Sequence, residues 1–234
     1  MIRELGMGGQ PARRARRERH LHCLILGVMF CFLFSTWSPL AAEEIRQYRK
    51  TTGDRSVLTE LRLVPEGTGW REIGEHSELV ENADFATLYW EWRDPGAGTD
   101  LLVTAGAGVL HAEGRLRGKS LSREFPTNGL PWAQNQELRL EWLVRSGLER
   151  TVFCSFDPGS MTLYEFEATA RGRELVSING RNFAASKVHL NLNGLLAPFW
   201  GADYWLDPLT GHLLKSRAIN GHPGTPPTVV EAVF

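Results

Sequence analysis

The chain has 234 residues, with 26 Lys+Arg against 27 Asp+Glu and a formal net charge of −1. That balance offers no basic surface for a phosphate backbone and excludes a nucleic-acid partner. Three cysteines, two of them at positions 23 and 31, are too few for a disulfide scaffold.

The N-terminus reads as an export signal. Met1–His22 carries six arginines against Glu4 and Glu18, and the apolar run Cys23–Phe34 follows. Pro39, then Ala41-Ala42, leads to Glu43-Glu44. A basic segment, a short apolar segment and small residues predict a secretory signal peptide over 1–42. The run is shorter than the ~20 residues of a membrane span. Because Leu40 is not a small residue, an uncleaved N-terminal anchor is the alternative. The remainder, 43–234, is expected to be one β-sheet domain in the periplasm. Removing six arginines and two glutamates leaves 20 cationic and 25 anionic side chains, a charge of −5. Cys154 remains without a disulfide partner and, between Phe153 and Ser155, reads as a small buried hydrophobe.

Strand signals and turn signals then alternate, which predicts an antiparallel β architecture. Glu44–Thr52 is a first polar strand, ended by Gly53-Asp54. Ser56–Val64 and Trp70–Ser77 flank Pro65–Gly69. Ala86–Arg93 and Leu101–Ala105 flank Asp94–Gly98. Val109–Phe125 holds one or two solvated strands. Pro126–Gln136 breaks the pattern. Pro131 suits a first helical position, and Gln134–Arg145 favours a short amphipathic helix. Leu138, Leu140, Trp142 and Val144 also alternate, so a strand is the competing reading.

After Gly147 the meander resumes. Thr151–Phe156 ends at Asp157-Pro158-Gly159. Met161–Thr169 runs to Arg171-Gly172-Arg173, and Glu174–Ile178 meets Asn179-Gly180. That pair is the strongest hairpin signal in the chain and sets Val176 opposite Phe183. Lys187–Asn193 alternates apolar and polar residues, so one face is buried. Phe199–Ser216 is a hairpin around Asp207-Pro208 and Gly211. The Asp carboxylate accepts backbone N–H bonds and Gly supplies the left-handed residue. The expected register sets Leu206 opposite Leu213, Trp205 opposite Leu214 and Tyr204 opposite Lys215. Both faces of this hairpin are apolar, so each needs a cover. Asn220–Pro227 is a Gly/Pro loop before a last strand, Thr228–Phe234.

The segments Phe199-Trp200, Ala202–Trp205, Asp207-Pro208…Gly211 and Gly221–Pro226 resemble a family of bacterial envelope proteins of unknown function. Pro131–Gln134 and the Asn179-Gly180 hairpin fit the same picture. In outline such domains are similar to periplasmic lipoprotein carriers of the Lol type. The resemblance implies a single curved antiparallel meander sheet, a half-barrel, with one short helix near its concave face. It carries over no catalytic residues.

No chemistry-bearing motif competes with this. The histidines His76, His111, His189, His212 and His222 show no metal spacing. No nucleophile elbow is present, and no cofactor is implied; a hydrolase would need His189 or His212 to meet an acid and a nucleophile. The expected function is therefore non-catalytic. An apolar groove lined by Trp90, Trp92, Trp142, Trp200 and Trp205 would hold a lipid, an acyl chain or a lipidated protein. The alternative is a structural or protein-interaction module of the envelope with a filled core. The terminal Phe234 raises a third reading, an outer-membrane barrel, against which the polar strands around Glu113–Arg123 argue.

Overall fold

The computed structural model describes residues 42–194, 200–219 and 225–234. The expected signal segment up to residue 41, and most of the Gly/Pro loop at 220–224, lie outside them.

Among the described residues, fourteen strands form one antiparallel sheet. In chain order they are β1 (Glu44–Thr52), β2 (Arg55–Glu66), β3 (Gly69–Ile73), β4 (Ser77–Glu81), β5 (Thr87–Asp94), β6 (Thr99–Ala105), β7 (Val109–Leu116) and β8 (Lys119–Pro126). After the helix α1 (Gln136–Arg145) come β9 (Arg150–Asp157), β10 (Thr162–Ile178), β11 (Arg181–Leu192), β12 (Gly201–Leu206), β13 (Leu213–Ile219) and β14 (Thr228–Ala232). The spatial order is β8 to β1 in descending sequence, then β14 to β9. Every neighbour is a sequence neighbour except at the β1–β14 seam, where Tyr48 lies opposite Ala232. The sheet is open, with β8 and β9 at its edges, so it is not a closed barrel.

The crossing segment before α1 ties the sheet together from inside. Ala133 N donates to the Cys154 carbonyl at 2.8 Å, and Cys154 N to the Pro131 carbonyl at 2.9 Å. On its other side, Thr87 N donates to the Trp132 carbonyl at 2.7 Å. β9 is thereby linked to β5. Pro131 belongs to this bridge and not to the helix. The helix starts one residue after Asn135, whose side chain accepts from Leu138 N at 3.2 Å. That cap selects helix over the strand that the alternating residues would also allow. Leu138, Leu140 and Leu143 point into the sheet and are at most 1% exposed. They pack with Phe153, Phe166, Val188, Leu190, Tyr204, Leu206 and Leu213 in the main core. A second cluster gathers Leu79, Trp90, Leu101, Val103, Leu110, Trp132, Cys154 and Phe156. Burial pushes the Cys154 thiol up to about 12, so it stays protonated and unreactive.

Three sequence expectations change. Trp70–Ser77 is not one strand but two, β3 and β4, broken at Gly74. Arg171-Gly172-Arg173 is not a turn. β10 runs through it as one 17-residue strand, with a register shift between Ala170 and Arg173. The shift bends the tip of the β10–β11 hairpin over the outer face of β12 and β13. There Val176, Ile178 and Ala185 cover Leu214, with Phe183 and Trp205 packed alongside. The hairpin β12–β13 keeps Leu206 opposite Leu213, but Trp205 faces Lys215 and Tyr204 faces Ser216. Leu214 is the extra residue of a bulge, in which two residues oppose one. Both faces are covered as expected, by the core within and by the arm without.

Candidate functional site

α1 fills only part of the concave face. Beyond its first turn a groove of two joined lobes remains, about 420 Å³ and about 380 Å³. Both lobes share Tyr48, Thr59, Gln136, Glu137 and Tyr204. The position follows from strand alternation. On β1, Tyr48 and Lys50 lie on one face, and Tyr204 on β12 shares the buried face with Ala202 and Leu206. One lobe continues to Leu61, Glu72 and Leu79 on β2, β3 and β4. The other runs to Trp200, Ala218 and Val230, near the β13–β14 end of the sheet.

The helix end of the groove is acidic. Glu72 accepts from the Asn135 side-chain amide at 2.6 Å. Burial raises the Glu72 carboxyl above its ordinary range despite that bond. Glu137 is half-buried, and desolvation, with Glu72 nearby, pushes it up to about 7. Glu81 is 1% exposed and neither carboxylate oxygen has a hydrogen-bond partner. Desolvation and then the charge of Glu72 raise its carboxyl well above the ordinary value, against a lowering contribution from the Thr87 side chain. The Tyr48 and Tyr204 hydroxyls are likewise raised, chiefly by burial.

The five tryptophans expected along one groove are not brought together. Trp200 lines the apolar lobe and meets Phe166 edge-on, with ring centroids 5.3 Å apart. Trp90 and Trp92 stack at 6.0 Å in the second cluster. Trp142 turns toward the loop before β5: its indole N–H donates to Asp84 at 3.1 Å, and the Arg139 guanidinium sits 3.9 Å over its ring. Trp205 is on the outer face, beneath the β10–β11 arm, and its indole N–H donates to Glu174. The groove residues Tyr48, Glu72 and Glu137 were not singled out from sequence, whereas Tyr204 belongs to the Phe199–Ser216 hairpin that the sequence marks as apolar on both faces. The one local signal was Tyr48, a lone aromatic in the polar strand Glu44–Thr52.

The histidines hold positions of a different kind. His189 and Asp203 pair across β11 and β12 at 2.8 Å, on the face away from the core. Among the described residues no Ser, Thr or Cys is hydrogen-bonded to that imidazole. His212 follows the turn between β12 and β13, and its Nε2 lies 3.5 Å from Glu44 and 3.9 Å from Glu141. Among the described residues no group of three His, Cys, Asp or Glu is placed to hold a metal ion.

No family model matches the chain, and no curated protein matches it in sequence. Among solved structures it is similar to a β-barrel-like protein of the domain of unknown function DUF1849 from Brucella abortus. The TM-score is 0.56 at 10% identity, over 81% of this chain and 95% of that one. The hypothetical lipoprotein YmcC from Escherichia coli (K12) aligns at a TM-score of 0.34 and 12% identity, over 88% of this chain and 94% of that one. At such identities the first likeness is one of fold: the chain shares the curved, β-barrel-like sheet of a bacterial domain of unknown function.

Proposed function

We propose that this chain is a non-catalytic binding module of the bacterial cell envelope, exported by its N-terminal segment, that holds a lipid or acyl chain in the concave groove. One observation carries the reading. The helix shares a buried core with the sheet and is ion-paired to β1 through Arg46, but beyond its first turn Tyr48, Thr59, Tyr204, Trp200, Ala218 and Val230 line an open, partly apolar groove. A curved sheet with a helix set to one side is the geometry in which apolar ligands are commonly enclosed. The walls are largely pre-formed by paired strands, so binding need order little backbone.

Native mass spectrometry of the purified chain after exposure to a bacterial lipid extract tests this. Bound mass in the lipid range is expected, and Ala218→Trp, which fills the apolar lobe, should remove it while the circular-dichroism spectrum is kept. A clean apoprotein that also takes up no fluorescent fatty acid would reject the reading. The competing reading is an interaction module, favoured by the leucines of α1 that fill much of the concave face. It predicts a stable protein partner in envelope pull-downs, unaffected by Ala218→Trp.

A further inference from the structure

β2 outruns one of its neighbours. It spans Arg55–Glu66, and β1 pairs with it down to Arg55, but β3 pairs only with Arg62–Glu66. The two flanking turns fix which way the remaining backbone points. Thr52 and Arg55 close a two-residue turn, so the odd-numbered residues of β2 bond to β1. Glu66 and Gly69 close another, so the even-numbered residues bond toward β3. Past Arg62 the even residues are Glu60, Leu58 and Ser56. Their N–H and C=O groups point off the edge, and none bonds to a described residue. Arg55–Glu60 is exposed throughout, with Val57 and Leu58 each 59% exposed on opposite faces. The space beside this stretch is not filled: the lobe of about 420 Å³ touches Thr59, Glu60 and Leu61, then Glu72 and Leu79 on β3 and β4. The outer edge of β8 is also unpaired, but Lys119, Arg123 and Pro126 blunt it; the open stretch of β2 holds no proline or lysine.

An open edge with apolar side chains on both faces is a template for another strand. Hydrocarbon does not suit it, because unpaired backbone groups are not tolerated there. A second copy of β2 does. Antiparallel pairing about a twofold axis sets one residue opposite itself. With the axis at Leu58, Leu58 meets Leu58 of the second copy, Ser56 meets Glu60, and Glu60 meets Ser56. Only this axis pairs the three open residues entirely with one another, so every open N–H and C=O on both copies is used. Arg55 then lies opposite Leu61, and Asp54 comes level with Arg62, so no like charges face each other. An axis at Glu60 would instead oppose two carboxylates. We propose that the open edge of β2 is a homodimer interface, with two copies joined β2 to β2 about Leu58. The concave faces then open on the same side, and Thr59 of one groove lies opposite Val57 of the second copy. The pairing is independent of what fills the groove.

Sedimentation velocity of the purified chain, from about 1 to about 500 μM, covers the affinities expected of a small interface. A dimer is expected in that range. Leu58→Asp sets two carboxylates face to face at the axis and should weaken the dimer at least about a hundredfold. Residue 58 is exposed, so the circular-dichroism spectrum should be kept. Ser56→Pro removes an N–H that the single chain leaves unused and should weaken the dimer about tenfold, so the result does not hang on one variant. Amide hydrogen exchange locates the contact. Ser56, Leu58 and Glu60 should exchange at least about tenfold more slowly in the parent dimer than in Leu58→Asp. A chain that stays monomeric over the whole range overturns the proposal and leaves the edge to a strand of another protein. A dimer indifferent to both variants, with those three amides exchanging fast, overturns it in favour of another face.

Discussion

Glu137 and Glu141 stand one helical turn apart on α1 and meet opposite surroundings. The Glu141 side chain is 3% exposed and fully engaged: Arg46 reaches it at 2.7 Å and Arg145 at 3.4 Å. Arg46 also holds Glu44, whose carboxyl that bond keeps below the ordinary range. Glu137 faces the groove and makes no hydrogen bond or ion pair with a described residue, with only the more distant charges of Arg46 and Lys50 favouring its ionised form. The C-terminal half of the helix is thus sealed to the sheet by charge, and its first turn is left chemically unfinished. Two like side chains on one element show which end is structure and which end is available to a ligand.

The largest effect is expected from breaking the sealed end. Arg46→Met would leave Glu141 buried without its main counter-charge. That should cost about 3–5 kcal/mol in urea unfolding, the usual penalty for orphaning one partner of a buried pair. A loss under about 1 kcal/mol would mean that Arg145 and His212 suffice. Next is Gly211→Ala. Gly211 has φ +80° in the turn between β12 and β13, and a Cβ there would stand 2.7 Å from Glu141 Cγ and 2.8 Å from its carbonyl oxygen. Left-handed backbone and a collision with the helix together predict a loss of about 2–4 kcal/mol. A near-neutral result would show that the helix can move off the turn, and that this end is looser than its contacts imply.

That turn was the part most legible in the sequence. Asp207 accepts from Leu209 N and Thr210 N at 2.8 Å each. Burial alone would raise its carboxyl, but those N–H bonds outweigh it and hold it low. Asn179-Gly180 likewise takes positive φ at both residues and sets Val176 opposite Phe183. Such turns are local chemistry, readable from four residues. The bulge at Leu214 and the bend at Arg171-Gly172 were not, since nothing local separates Arg-Gly-Arg in a bulge from Arg-Gly-Arg in a turn. What hinted at the arm was tertiary demand: Trp205 and Leu214 are apolar on a face that needed a cover. The site was less legible still. Counting tryptophans found Trp200 and missed the rest of the wall, because Tyr48, Glu72, Glu137 and Tyr204 come from four separate elements. Their shared setting, two carboxyls and two phenols whose ionisation burial opposes, exists only once the sheet has curled around the helix.

The smallest expected effect tests the unfinished end directly. The Glu137 carboxyl is raised from an ordinary 4.5 to about 7 in the folded chain. Between those values the unfolded chain binds fewer protons than the folded one, so stability falls as pH rises through the window and levels off above it. Glu72 and Glu81 act with the same sign. Asp157, Asp207 and Glu44, which are lowered, act oppositely: their contribution is lost only as pH falls below the ordinary carboxylate range. The two trends therefore occupy separate pH ranges. Glu137→Gln should raise stability at pH 7.5 by about 1–2 kcal/mol, the linkage value discounted for half-burial, and leave it unchanged at pH 4. Thermal melts from pH 4 to pH 8 read this as a gap between variant and parent that opens through the window. A gap of one size at every pH would mean that residue 137 acts through packing and that its carboxyl already has a partner. The first turn of α1 would then be finished structure, like the turn that follows it.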